Sequence, residues 1–351
     1  MSGIILAWDL GKYKSVACVF DPSSGETRFE TVPTTPSDLE RHLRSANPSR
    51  VVFETCTIAA WVSEPCGRVG VPWTVANPNG EAWRWKNVKR KTDRDDALKL
   101  ARLAAASELP SVPAPPPAVR QKRSLPKFRQ DLVGRRVALQ NRLRALVEAQ
   151  GLRPAPGSKA WTKLGVALAE SWAKPLEACA PEELWKGELR VALDDWNAVR
   201  TREAQVDAKL DDLAKSDPAV IRLTTIPGVG TRTAEVAANY LCDPKRFRTA
   251  GEVSCYAGMA PTQYQSGQSD RKGRITKRGP GLLRKSLVEC GWCLLRYNAW
   301  GKGLFERISK GQKTRRKTAA AAVGRKLLVV CRAMLRHGED WKGPPALEAA
   351  A

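Results

Sequence analysis

The order of strand-like and helix-like stretches in the first hundred residues is the feature that most constrains the fold. Three strands joined by short turns are predicted first, at residues 4–10, 15–20 and 26–32. The pattern then predicts a helix from Thr35 to about Ala46, a strand at 50–54, a helix at 58–68, a short strand at 72–76 and a helix at 93–106. A meander of strands followed by alternating strands and helices predicts an α/β domain, which we place at residues 1–108.

Four carboxylates lie at the ends or on one face of these predicted elements. Asp9 and Glu54 end two apolar strands, and Asp93 and Asp96 lie three residues apart on one face of the last helix, whereas Asp95 points elsewhere. The element order is that of a ribonuclease-H-like domain. Carboxylates placed in this way can converge on one spot, as Mg²⁺-dependent cleavage of phosphodiesters requires. Taken singly, each has an ordinary alternative: a turn cap, an arginine partner or a solvated helix face.

The remainder of the chain is predicted to be mainly helical. A Pro-rich connector at 109–118 precedes a long helix to residue 150, a poorly patterned stretch at 151–180 and a second long helix at about 182–215. The two helices predict a coiled-coil-like arm at 119–218, with an ordinary helical hairpin as the alternative. Residues 219–341 are predicted to be a compact helical domain, and residues 342–351 a disordered tail.

The charge of the chain is unevenly distributed. Of the net charge of +23, 16 comes from the stretch between Gln265 and His337, which holds 19 Lys or Arg and three Asp or Glu. A basic surface of this density typically binds phosphate. Nucleic acid is therefore the predicted partner, and a solvated basic surface without a partner is the alternative.

Features of export or membrane insertion are missing from the sequence. No apolar run reaches 18 residues, and the first six residues have neither a basic start nor a cleavage site. Nine scattered cysteines suit reduced thiols, and Cys290 and Cys293 are predicted to pack rather than to act as a redox pair. We expect a bacterial cytoplasmic protein, associated with the nucleoid, that does not enter a membrane.

A glycine-rich turn opens the C-terminal domain. The segment at 225–234 reads Thr-Ile-Pro-Gly-Val-Gly-Thr-Arg-Thr-Ala, a helix-hairpin-helix type of pattern. Gly228 and Gly230 would let the backbone approach a phosphate at the start of the helix that follows, beside Thr231. The alternative is a plain tight turn.

A second glycine-rich segment carries an exposed serine beside many cations. Ser266 lies next to Gly267 and is followed by a cluster of basic residues: Arg271, Lys272, Arg274, Lys277 and Arg278. Such cations could hold a phosphate and lower the pKa of a nearby hydroxyl. From the residues alone, however, a phosphate-binding loop is the preferred interpretation, because serine and glycine are ordinary loop residues.

The combined motifs resemble the insertion sequence 110 family of transposases over about residues 4–340. The motifs that carry the resemblance are Asp9, Glu54, Thr92-Asp93-x-x-Asp96-Ala97, Ile226–Gly230, Gly258–Pro261, Ser266-Gly267 and Gly273–Gly279. The resemblance implies a RuvC-like domain with a DEDD tetrad, a coiled-coil region and a C-terminal transposase domain with a catalytic serine. It also implies a recombinase guided by a bridge RNA that the element encodes.

Carried over residue by residue, the resemblance implies an Mg²⁺-binding tetrad of Asp9, Glu54, Asp93 and Asp96, with Ser266 as nucleophile. Many relatives have Ser-Ser-Gly where this chain has Gln-Ser-Gly, which favours Ser266 and leaves Ser269 as a fallback. The cations that follow would line the nucleic-acid backbone. Dimers pairing into a tetramer are implied, with tetrad and serine from different protomers.

The sequence therefore favours a DNA recombinase that forms a covalent phosphoserine, needs Mg²⁺ and binds donor and target DNA together with a structured guide RNA. A metal-dependent RuvC-like nuclease or junction resolvase without serine chemistry is the alternative. A non-catalytic nucleic-acid-binding protein and a sugar-kinase-like ATPase are further alternatives, and the ATPase lacks the later Gly-rich segments that bind adenosine. Trp73, Trp83 and Trp85 lie near the basic run at 86–91, where stacking on unpaired bases competes with ordinary core or interface packing.

Overall fold

A computed structural model describes residues 3–77, 92–109, 111–266 and 269–343. The chain divides into two compact units, residues 1–120 and 121–351.

The first unit consists of a mixed sheet with helices on both faces. Its strands are β1 (Ile5–Asp9), β2 (Lys14–Phe20), β3 (Thr27–Pro33), β4 (Arg50–Glu54), β5 (Trp73–Ala76) and β6 (Ser111–Val112). Its helices are α1 (Pro36–Ala46), α2 (Ala59–Val69) and α3 (Asp93–Ala105). The strands and helices predicted from the sequence pattern are confirmed to within a few residues.

The strand order is β3-β2-β1-β4-β5-β6. The first three strands form an antiparallel meander, while β1, β4 and β5 are mutually parallel. Strand β6 pairs antiparallel with β5 and lies within the Pro-rich segment that was predicted to be only a connector. Two ladder pairs are enough to add this segment to the edge of the sheet, a position that tolerates nearby prolines.

The sheet separates two apolar layers, because successive strand residues face opposite sides. Leu6, Trp8 and Phe53 are buried on the side of α1 and α2. Ile5, Ala7 and Val52 are buried on the other side, against α3. Each strand near the middle is therefore apolar on both faces, as the continuous apolar runs of the sequence indicate.

The second unit is mainly helical. Its helices are α4 (Pro117–Glu148, which begins in the first unit), α5 (Lys163–Trp172), α6 (Leu184–Lys215), α7 (Pro218–Thr224), α8 (Thr231–Leu241), α9 (Ala250–Tyr256), α10 (Gly281–Tyr297), α11 (Ala299–Ser309) and α12 (Arg316–His337). Two strands, β7 (Pro261–Ser266) and β8 (Ser269–Ile275), form an antiparallel hairpin.

The long helices α4 and α6 run antiparallel. The side chain of Arg129 pairs with Asp207, and that of Arg142 pairs with Glu188, so residue numbers rise along one helix as they fall along the other. Apolar side chains join them at one end: Leu143, Val147, Leu189, Leu193 and Trp196. The long antiparallel pair is confirmed, and a coiled-coil geometry remains a prediction.

The C-terminal helices share one core in which α10 and α12 pack most closely. A methyl group on Gly291 would collide with the backbone of Ala320, and one on Gly324 would collide with the backbone of Leu287. The glycines therefore allow the two helices to touch backbone to backbone. This core holds the segment that precedes the β7–β8 hairpin, through buried Ala257 and Met259.

Membrane-spanning helices were not expected, and none of the helices in the described ranges has the length and apolarity that crossing a membrane would need.

Candidate active site and nucleic-acid interface

Asp9 and Glu54 lie side by side at the carboxyl ends of the two central strands of the sheet in the first unit. Strands β1 and β4 are parallel neighbours in which Trp8 pairs with Phe53, and each carboxylate is the next residue along its strand. Neighbouring strands are about 4.8 Å apart. The two carboxylates therefore start from adjacent points, and both are partly buried.

Both carboxylates belong to the face of the sheet on which α3 packs. Residues two apart on a strand face the same side of the sheet. Asp9 therefore shares the face of Ile5 and Ala7, and Glu54 shares the face of Val52, and these three apolar residues are buried against α3. The side chain of Asp96 is 7% exposed and lies on the same face of α3 as Leu100, which packs on the sheet. Three of the four predicted carboxylates thus belong to one layer of the structure.

The other acidic residues of α3 differ in their surroundings. Asp93, the first residue of the helix, is exposed. Asp95 accepts a hydrogen bond of 2.6 Å from the Thr92 hydroxyl, and that hydroxyl accepts one from the Asp95 backbone N–H. Asp95 is thus committed to capping the helix, which agrees with leaving it out of the predicted tetrad.

The donor set suits Mg²⁺, which prefers carboxylate oxygens and retains several waters. In the described ranges, however, no group of three or more His, Cys, Asp or Glu side chains is close enough together to hold a metal ion. The structure brings Asp9 and Glu54 together by strand register and directs Asp96 toward the same layer. Assembly of the complete tetrad stays a prediction.

Ser266 is the last residue of β7 and is exposed. It pairs across the hairpin with Ser269, and the two residues between them in the chain, Gly267 and Gln268, lie outside the described residues. The hairpin itself was not predicted from the sequence. The Gly-Gln pair at 267–268 is of the kind found in two-residue hairpin loops, and it would have been the sequence indication.

The cations predicted to line nucleic acid cluster on this hairpin and at its base. Arg271, Lys272 and Arg274 are exposed on β8, and Lys277 and Arg278 are exposed just after it. The base is held to the preceding segment by hydrogen bonds from the Lys277 N–H to the Gly258 carbonyl and from the Thr276 N–H to the Ala260 carbonyl, each 2.9 Å long. A basic ribbon therefore projects from a well-packed support.

The glycine-rich turn lies between α7 and α8. Gly228 has φ 89°, and a methyl group there would press on Leu294 and Tyr297. Gly230 is the N-cap of α8 and provides no side chain to cap it, and Thr231 begins the helix. The first N–H groups of α8 are therefore not capped by a side chain at the N-cap position, which is the arrangement that binds a phosphate.

Two family profiles match the chain over these two regions. A profile described as "Transposase" for the DEDD domain of the IS110 group matches residues 6–150, and one described as "Transposase IS116/IS110/IS902 family" matches residues 221–306. The chain belongs to the IS110 family of transposases. The first match contains all four predicted carboxylates, and the second contains the glycine-rich turn and the hairpin.

Individual relatives agree with the family. The chain is 28% identical to a "Probable family 20 transposase" of Pseudomonas aeruginosa, over 75% of this chain and 79% of the relative. It is 27% identical to a "Transposase for insertion sequence element IS1111A" of Coxiella burnetii, over 83% of this chain and 79% of the relative. It is 35% identical to a "Pilin gene-inverting protein" of Moraxella lacunata, over 34% of this chain and 37% of the relative.

Sequence reasoning missed an ion-pair network at the start of α8 in this IS110-family transposase. Arg232 donates to both oxygens of Glu235, at 2.9 and 2.8 Å, and also pairs with Asp211. Asp207 lies 3.7 Å from the Arg232 guanidinium and accepts from Arg129 at 2.6 Å. Burial raises the pKa of Glu235 to about 7, although the Arg232 charge opposes this shift. Arg232 is thus held by carboxylates beside the turn.

Two further predictions for this IS110-family transposase cannot be compared with the structure. Trp83, Trp85 and the basic run at 86–91 lie outside the described residues, as does most of the predicted disordered tail. The cysteines Cys290 and Cys293 do lie in described structure, on α10, where Cys290 is buried in the core and Cys293 is exposed. The predicted packing role is therefore confirmed for Cys290 and is wrong for Cys293, which lies on the solvent side of the helix.

Proposed function

We propose that this transposase cuts and rejoins DNA through a covalent phosphoserine formed by Ser266, with Mg²⁺ held by Asp9, Glu54, Asp93 and Asp96, and that an element-encoded bridge RNA guides it. The observation that carries the proposal is the common layer of Asp9, Glu54 and buried Asp96 between α3 and the sheet, in a chain that also presents an exposed serine on a basic hairpin.

The carboxylates would hold the metal through their oxygens. Bound Mg²⁺ would stabilise the negative charge that develops on the phosphoryl oxygens. Asp9 and Glu54 would supply a pair of ligands fixed by strand register, while Asp96 would close the site from α3. Asp93, exposed on the first turn of that helix, would be the most mobile ligand and the one nearest to solvent.

Ser266 would act as the nucleophile. Its Oγ loses a proton and forms a bond to a DNA phosphorus, while the bond to one deoxyribose oxygen breaks and that oxygen gains a proton. The reverse reaction with a new strand restores the free serine, so joining needs no ATP because the phosphodiester energy is retained. The exposed position at the tip of a two-stranded ribbon leaves room for a DNA backbone.

The surrounding cations would orient the nucleic acid. Arg271, Lys272 and Arg274 on β8, with Lys277 and Arg278 at its base, would contact phosphates. Gly228, Gly230 and Thr231 would place the uncapped start of α8 against a second stretch of backbone. These contacts fix position and carry no sequence information by themselves, which suits a system in which RNA pairing selects the target.

Strand exchange also determines the expected partners. Exchange needs two or more active sites held together, so we propose a homo-oligomer, a dimer or tetramer, bound to donor and target DNA and to a structured RNA. The gene-inverting relative supports rejoining, since inversion requires both cutting and joining of DNA.

The test is to express the chain together with the DNA that flanks its gene and to sequence the excision and insertion junctions. Joined junctions should form with the natural chain and with Arg248→Gln, a control at an exposed arginine outside the hairpin. They should disappear with Ser266→Ala. Cut but unjoined ends would favour a metal-dependent nuclease instead. A single defined RNA should copurify with the chain, and absence of any such RNA would remove RNA guidance from the proposal.

A further inference from the structure

A cleft of about 380 Å³ opens along the two long helices of the second unit. Arg136 and Gln140 line it from α4, Arg200 lines it from α6, and Trp161 and Trp196 also form its wall. Its volume falls within the roughly 300–1,000 Å³ of pockets that bind small molecules. The chemistry proposed for the carboxylates and Ser266 does not use this cleft.

The aromatic wall of the cleft is combined with guanidinium groups. The ring centres of Trp161 and Trp196 are 5.4 Å apart and tilted by 41°. The guanidinium carbon of Arg200 lies 4.5 Å from the Trp196 ring centre, and that of Arg144 lies 5.2 Å from the Trp161 ring centre. Indole faces and guanidinium planes are the surfaces on which proteins stack unpaired bases.

The lining of the cleft holds two arginines and two carboxylates, and the charge left unpaired among the described residues is positive. Of the two carboxylates, Glu203 accepts a hydrogen bond from Arg136 at 2.7 Å, and Asp207 accepts one from Arg129 at 2.6 Å. Within the part of the chain that the structure describes, no carboxylate pairs with Arg200, which is exposed. Arg200 is therefore the cation available to a phosphate.

One polar group of the cleft wall suits a base edge. Trp196 is 1% exposed and its indole N–H is itself buried, so this ring supports Trp161 and does not meet a ligand in the cleft. Gln140 provides an amide that can both donate and accept.

We propose that this cleft binds one unpaired nucleotide of a nucleic-acid strand, with the base against Trp161, which buried Trp196 supports from behind, and the phosphate beside Arg200. A base within a duplex is excluded because its faces are already stacked. The inference rests on the proposed function in needing a nucleic-acid partner, and it adds a second type of contact to the phosphate contacts of the hairpin.

The binding test compares single strands with duplex DNA on the full chain. Arg200→Gln and Trp161→Leu remove the cation and one stacking face, and Arg202→Gln is the control, an exposed arginine on the same helix outside the cleft. With a fluorescent single strand of about 12 nucleotides, as oligouridine or oligothymidine, both cleft variants should bind at least about fivefold more weakly. Their affinity for duplex DNA and that of the control variant for all probes should be unchanged.

Crosslinking locates the contact independently. A strand carrying 5-iodouridine should crosslink to a peptide that contains Trp161. The proposal is overturned if crosslinks form only outside the cleft, or if Arg200→Gln binds single strands as tightly as the natural chain. Arg200 is exposed, so this variant keeps the test decisive if Trp161→Leu fails to fold. If the natural chain fails to bind duplex DNA at all, the proposed function fails instead.

Discussion

Ser266 and Ser269 face each other across the β7–β8 hairpin as its last cross-strand pair. Directly paired residues project from the same side of a sheet. The two exposed hydroxyls therefore share one face of the ribbon, as do Tyr264 and Arg271, two residues away along the strands. The geometry leaves either serine able to meet a phosphate, and only the family resemblance favours Ser266.

Exchanging each serine for alanine separates them. Ser266→Ala should lower strand transfer by about a thousandfold or more, because loss of a nucleophile removes the covalent route. Ser269→Ala should retain nearly normal rates, and its similar position on the hairpin makes it the matched control. Rates are measured from joined products on a supercoiled donor. The opposite ranking of the two variants would move the assignment to Ser269.

Mg²⁺ should stabilise the chain through the carboxylate layer. A ligand that binds only the folded state raises the free energy of unfolding as its concentration rises. The melting temperature should therefore rise with added Mg²⁺ for the natural chain, and the rise should vanish in Asp96→Asn. Asp95→Asn should lower the melting temperature measured without Mg²⁺, since Asp95 caps α3 with Thr92. The rise in melting temperature on adding Mg²⁺ should be the same as in the natural chain. An unchanged increment in Asp96→Asn would contradict the predicted site.

The stability of the second unit should depend on pH through Glu235. Burial raises the pKa of this carboxyl to about 7 in the folded state, against a value near 4.5 when unfolded. The folded state thus binds more protons in that interval, and stability due to this group is lost as pH rises from about 4.5 through 7. Glu235→Gln should remove this loss, giving a relative gain of order 2 kcal/mol at pH 8 over pH 5. Chemical unfolding of the natural chain and of Glu235→Gln at pH 5 and pH 8 measures this. If the free energy of unfolding changes equally with pH in both proteins, the prediction is contradicted.

The two glycines of the α7–α8 turn should respond differently to alanine. Gly228 has a left-handed backbone and would place a methyl 3.2 Å from side-chain atoms of Leu294 and Tyr297. Gly228→Ala should cost about 1–2 kcal/mol in unfolding free energy. Gly230 has a φ of −81° and open space around it, so Gly230→Ala should change stability by less than about 0.5 kcal/mol. Similar losses at both positions would show that the turn geometry is wrong.

A phosphate contact by the hairpin should appear in the salt dependence of DNA binding. Arg271→Gln should reduce the slope of log affinity against log salt concentration by about 1. Arg248→Gln, at a position outside the hairpin, should leave the slope unaltered and serves as the control. If Arg271→Gln changes affinity without changing the slope, its role is not a phosphate contact.

The order of strands and helices in the first unit could be predicted because local pattern decides it. Thr35 caps α1 and Pro36 begins it, so the helix boundary followed from residue chemistry alone. The position of Asp9 and Glu54 at strand ends was equally readable. That they share a face with Asp96 could not be read from the local pattern, because it depends on which side of the sheet α3 packs.

The features that the sequence did not predict arise from contacts between distant segments. Strand β6 forms because Ser111 and Val112 meet the edge of β5 at Ala76 and Val75. The β7–β8 hairpin was not predicted because its strands consist largely of polar and basic residues, a composition that indicates a loop. The pairing of Arg232 with Asp211 joins α8 to α6, and the sequence of neither helix shows which of its sides faces the other.

The most direct test of the central claim is mass spectrometry of the chain trapped on DNA during strand transfer. A suicide substrate with a nick near the cut site prevents rejoining, and the digested complex is searched for a nucleotide-bearing peptide. We expect a phosphodiester between a DNA phosphate and Oγ of Ser266, formed with Mg²⁺ and absent in Asp96→Asn. Efficient cleavage that leaves free phosphate ends and no peptide adduct would contradict it.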